Sequence, residues 1–279
     1  MYNTAPVPIR NVPGARLHWE AHGASPEPHG SAGRGPTAPA LVLLHGLGSS
    51  SADWLFQVPA FAPHYRVLAV DLPGHGRSEA AGRLSVEGMA SAVGALLRDL
   101  GEGPAHLLGL SLGGCVALAL AAAEPERVRS LVLVNAFARL RPTGPRGALR
   151  LLTRLALLAA APMPVVAAHV ARGLFPRPDQ RALYEGAVAS LSATPRRRYL
   201  AAVRATAAFD GRRLLGSIRC PTLVVAGERD GTVSRAAAEQ LARGIAGARL
   251  VVIPHSGHAT PADQPEAFNR AVLDFLAGV

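Results

Sequence analysis

The sequence predicts an α/β architecture in which a mostly parallel central sheet of about eight strands is flanked by helices on both faces. Two observations carry this. Short, continuous apolar runs, the pattern of strands buried on both faces, alternate with longer helical patterns, and 49% of the 279 residues are apolar. The segments between successive strands are also long enough for the right-handed crossovers that parallel pairing needs. No internal repeat or mid-chain linker divides the chain, so one core-forming unit carrying an insertion is expected.

Residues 6–12 and 16–22 read as a hairpin around Pro13-Gly14, and residues 24–39, rich in Gly, Pro, Ser and Ala, as a surface loop. A strand at 40–44 ends in His45-Gly46-Leu47-Gly48. Another at 65–70 closes in Asp71-Leu72-Pro73-Gly74-His75-Gly76-Arg77-Ser78. Then come a helix over 86–100, a strand over 105–110, a helix over 112–124 and a sixth strand over 128–135. From 138 to 216 the pattern turns to Leu/Ala/Arg-rich helices punctuated by prolines, and the sheet pattern resumes with a strand over 222–226, a helix over 235–245, a strand over 249–253 and a final helix over 265–276.

Gly109-Leu110-Ser111-Leu112-Gly113 sits where the strand over 105–110 runs straight into a helix. So sharp a turn admits only residues without bulk beside the serine and lifts its hydroxyl clear of the backbone, which suits a nucleophile. Together with His45-Gly46-Leu47-Gly48, Gly227-Glu228-Arg229-Asp230 and Pro254-His255-Ser256-Gly257-His258, this motif resembles the α/β-hydrolase superfamily over nearly the whole chain. The order serine, acid, histidine matches that fold.

The resemblance implies a core of residues 1–137 and 217–279 with a helical cap, residues 138–216, inserted after the sixth strand. Ser111 is the candidate nucleophile, a weak one that needs a base. His258 is that base, favoured over His255 because Gly257 gives its loop room to reach over the strand ends. Asp230 would hold the imidazole in one tautomer. Asn135 stands where some relatives carry the acid, and an amide supplies no charge. The backbone N–H groups of Leu47 and Leu112 are the expected oxyanion donors. His45 and Trp54 are candidate pocket residues, but His45-Gly46 reads first as shaping its loop and Trp54 as an aromatic buried in the core.

Composition narrows the function further. The net charge is +10, and every basic residue other than histidine is arginine. Few aromatics accompany those arginines, which argues against nucleic-acid binding. The region 138–216 holds fourteen arginines against three acids, either a solvated face or an attraction for anionic substrates. Cys115 and Cys220 read as buried thiols, and no Cys/His cluster has metal-ligand spacing, so no metal or cofactor is expected. The longest apolar stretch, 155–168, is too short to cross a bilayer and is broken by Pro162 and Pro164, and no secretion signal opens the chain. A cytoplasmic monomer or homodimer without membrane insertion is expected.

Serine at the elbow argues against epoxide hydrolases and haloalkane dehalogenases, and the absence of His-Gly-Gly-Pro-Gly against proline iminopeptidase. Ala259 stands where the similar carbon–carbon bond hydrolases place tryptophan. The preferred reading is a carboxylesterase acting on small to medium acyl chains. Its alternatives are an enol-lactonase or carbon–carbon bond hydrolase with an acidic substrate, and a non-catalytic ligand receptor on the same fold.

Overall fold

A computed structural model describes residues 8–23, 39–141 and 144–279. Among them nine strands build one sheet: β1 (Ile9–Val12), β2 (Ala15–His22), β3 (Ala40–Leu44), β4 (Arg66–Val70), β5 (Glu79–Ala80), β6 (Ala105–Leu110), β7 (Val128–Val134), β8 (Thr222–Gly227) and β9 (Arg249–Ile253). Their order is β1-β2-β4-β3-β6-β7-β8-β9, with β5 paired to β2. The β1–β2 hairpin is antiparallel and β2 runs antiparallel to β4; from β4 to β9 every pairing on that path is parallel. The hairpin turns at Gly14, whose φ of 79° suits glycine. Most of the loop expected over 24–39 lies outside the described residues. The two-residue β5, too short to leave a pattern, makes the strand expected as sixth the seventh.

The helices are α1 (Val58–Phe61), α2 (Val86–Asp99), α3 (Leu112–Ala123), α4 (Gly144–Ala160), α5 (Met163–Leu174), α6 (Arg181–Ala193), α7 (Arg196–Ala208), α8 (Arg235–Gly244), α9 (Thr260–Asp263) and α10 (Pro265–Leu276). Alternation along each central strand feeds two cores. Val42, Leu44, Leu131 and Leu133 pack with α2, α3 and α8, while Leu41, Leu43, Val132 and Val134 pack with Phe61 of α1 and Phe268 and Phe275 of α10. Each buried leucine contributes roughly 1.5–3 kcal/mol, and both faces are covered, which is why these strands read as unbroken apolar runs. The α2 helix begins at Ser85, whose side chain accepts from Gly88 N at 3.0 Å, and ends with Arg98 near the negative pole of the dipole.

Helices α4 to α7 are inserted between β7 and β8. Prolines start two of these helices: Pro162 and Pro195 are the N-caps of α5 and α7, and Pro164 lies in the first turn of α5, where a missing N–H costs nothing. The apolar stretch is thereby split between α4 and α5, and no helix among the described residues is long and apolar enough to cross a membrane.

Candidate active site

Strand β6 delivers Ser111 at φ 54°, ψ −111°, a strained conformation for a non-glycine residue. Gly113 makes the elbow possible, because a Cβ there would run into the carbonyl of Leu44 at the end of β3. The turn thus lies flat against the loop that follows β3. Leu112 opens α3, so its N–H is among the first four of the helix, which have no acceptor within it.

Ser111 is one wall residue of a cavity of about 540 Å³. His258 lines it too, as do Leu47, Trp54 and Phe56 from the β3 side and Leu151, Val170 and Leu174 from the insertion. His258 follows β9 and is almost fully buried, with Nδ1 2.7 Å from Asp230 Oδ2. Asp230 follows β8; its other oxygen, Oδ1, accepts from the N–H groups of Thr232 (2.7 Å) and Val233 (2.9 Å). Those two bonds fix the carboxylate plane and leave Oδ2 for the ring. A proton on Nδ1 shared with a carboxylate leaves Nε2 of the neutral imidazole as an acceptor. Among the described residues the Ser111 hydroxyl has no hydrogen-bond partner. The structure therefore joins Asp230 to His258 and leaves Ser111 as a separate member of the same cavity wall.

Asn135 holds the base loop from the end of β7. Its Nδ2 lies 2.6 Å from the His258 carbonyl oxygen, 2.8 Å from Thr260 Oγ1 and 3.3 Å from the Gly257 carbonyl, while its Oδ1 accepts from Gly227 N at 2.8 Å. A φ of 45°, tolerated by asparagine, turns the side chain to that position. The sequence signalled only that no charge stands here. A second clamp is Asp263, whose Oδ2 accepts from Gly257 N at 2.6 Å. Its Oδ1 accepts from Gln180 Nε2 at 2.6 Å and Arg177 Nη2 at 3.0 Å, both from the insertion.

The expectation that His45 belongs to the pocket is corrected. The ring is fully buried and does not line the cavity. Its Nδ1 donates to the Gly46 carbonyl at 2.7 Å and its Nε2 accepts from Leu72 N at 3.0 Å, so both nitrogens serve the backbone. Burial lowers its pKa and keeps that neutral tautomer. The peptide whose carbonyl His45 holds also carries the Leu47 N–H. Trp54 does line the cavity. Asp53 lines it as well, and desolvation by the surrounding protein pushes its carboxyl above the usual range. Cys115 lies under the elbow, where burial raises its thiol to about 12 and its Sγ donates to the Phe137 carbonyl; both cysteines are free.

This fold and constellation define a class of hydrolase, and comparison with known proteins agrees. Residues 39–265 match the family model described as alpha/beta hydrolase fold, and the chain belongs to that family. It is 35% identical over 272 residues, 94% of this chain and 97% of the relative, to a protein of Stutzerimonas stutzeri provisionally named carbamate hydrolase RutD. It is also 35% identical over 247 residues, 86% of this chain and 94% of the relative, to the pimeloyl-[acyl-carrier protein] methyl ester esterase of Neisseria meningitidis. Among solved structures, the enol-lactonase of Burkholderia xenovorans superposes with a TM-score of 0.84 at 30% identity, covering 97% of this chain and 100% of that one.

Proposed function

We propose that the protein is a carboxylic ester hydrolase that works through an acyl-serine intermediate on Ser111. The observation that carries the reading is the His258–Asp230 pair at 2.7 Å in the same apolar-walled cavity as Ser111 on its elbow. Ser111 Oγ attacks the ester carbonyl as its proton passes to His258 Nε2, and the oxyanion meets the N–H groups of Leu47 and Leu112. Collapse expels the alcohol, which takes the proton back from His258. Water, deprotonated by His258, then attacks the acyl-serine and releases the acid.

In this reading residues 138–216 act as a cap over the core formed by 1–137 and 217–279, and the cavity sets a limit of small to medium acyl groups. The names of the relatives point to carbamate, methyl ester and lactone substrates, all attacked at a carbonyl. A lactone differs only in that its alcohol stays tethered, and the structural likeness to an enol-lactonase favours it as the second reading. Nitrophenyl esters of graded chain length beside a lactone panel, with fluorophosphonate labelling of wild type and Ser111→Ala, test the proposal. Turnover and labelling in the wild type, both lost in Ser111→Ala, are expected; an unlabelled wild type without turnover would leave a ligand receptor.

A further inference from the structure

Three arginines, Arg141, Arg150 and Arg154, line the same cavity. The acids that could neutralise them are already engaged. Within the insertion, Asp179 pairs with Arg177, Glu185 with Arg181, and Asp210 with Arg139 and Arg212. None of the three cavity arginines forms an ion pair among the described residues. Asp53 is the acid on the cavity wall, and it forms no ion pair with any of the three.

Arg154 is the most constrained of the three. Its Nη2 donates to the phenol of Tyr199, and its Cζ lies 5.1 Å from the centre of that ring. Its Nε is buried and has no hydrogen-bond partner among the described residues. Tyr199 is itself buried and packs on the loop after β3, since a Cβ at Gly48 would sit 2.6 Å from its ring. The ring thus ties the guanidinium to the loop that carries Leu47.

We infer that Arg154 anchors a carboxylate in the cavity, so that the preferred substrates are esters or lactones bearing a free carboxylate group. The inference rests on the hydrolase reading for turnover, but not for binding. The Nη1 group of Arg154 and the Nη2 hydrogen not given to Tyr199 can grip two carboxylate oxygens at once, a geometry lysine cannot reproduce. Arg141 and Arg150 add attraction from the same wall, and apolar neighbours keep water from competing.

Hydrolysis of mono-p-nitrophenyl glutarate is compared with that of neutral p-nitrophenyl valerate in wild type, Arg154→Gln and Arg154→Lys. The anionic-to-neutral ratio of kcat/KM should fall about thirtyfold in Arg154→Gln, mainly through KM, the scale of a lost charged hydrogen bond. Arg154→Lys should recover part of it. Arg213→Met, on an exposed arginine outside the cavity wall, should leave the ratio unchanged. In a second arm, calorimetry measures monomethyl glutarate and dimethyl glutarate binding to Ser111→Ala protein with and without Arg154→Gln. Tighter binding of the monoanion that Arg154→Gln abolishes is expected even if no ester is turned over. An unchanged ratio, or equal affinity for the two glutarates, overturns the assignment, and should Arg154→Gln not fold, Arg154→Lys decides on the same ratio.

Discussion

Asn135 Nδ2 sits 2.6 Å from the backbone carbonyl of His258, so the candidate base is positioned by an amide 123 residues earlier in the chain. Asn135→Asp keeps the shape but turns an acceptor toward three oxygens. We expect kcat to fall by at least tenfold and stability by about 1–3 kcal/mol, the cost of unsatisfied buried partners. Steady-state kinetics with urea unfolding checks both, and an active Asn135→Asp would show that the clamp is dispensable.

Asp230→Asn retains an oxygen for the Thr232 and Val233 N–H groups but cannot hold the Nδ1 proton in place. Turnover should drop by about 10³–10⁴, as when a triad acid becomes an amide and the imidazole takes the wrong tautomer. The melting temperature should hardly move. Near-normal turnover would assign the acid elsewhere.

Acid should unfold the protein through buried histidines. Burial, aided by nearby His45, holds His75 at about 3, and burial with the charge of Arg129 holds His106 at about 4. Both folded values lie below the ordinary imidazole value of 6.5, so the unfolded chain binds more protons in that window and stability is lost as pH falls from about 6.5 toward 4. Each group contributes roughly 1.4 kcal/mol per pH unit across its window. Urea midpoints at pH 7 and pH 5 measure the slope, which His106→Gln should make shallower.

Gly113→Ala should destabilise by about 3 kcal/mol or more, because its Cβ meets backbone of β3 that cannot step aside. Gly103→Ala, with no atom within 4 Å of its Cβ, should be neutral or stabilising by up to about 1 kcal/mol. Thermal unfolding of the two variants separates a steric requirement from a general intolerance of alanine.

The legible parts of the sequence were those with local causes. Leu41 to Leu44 and Leu131 to Val134 read as buried strands because both sheet faces are covered, and the elbow was visible because Gly109, Ser111 and Gly113 solve one local steric problem. What escaped depends on distant partners. Asn135 reaches Gly227, Gly257 and Thr260; Arg154 acquires meaning only beside Tyr199; and His45, also a candidate for the pocket, turns inward because backbone groups claim both of its nitrogens. No spacing rule encodes such meetings.

One carboxylate, that of Asp263, is shared by two masters. It fastens the loop bearing His258 through Gly257, and on its other oxygen it receives Gln180 and Arg177 from the connection between α5 and α6. Displacing that segment would remove two of its three hydrogen bonds and loosen the footing of the imidazole.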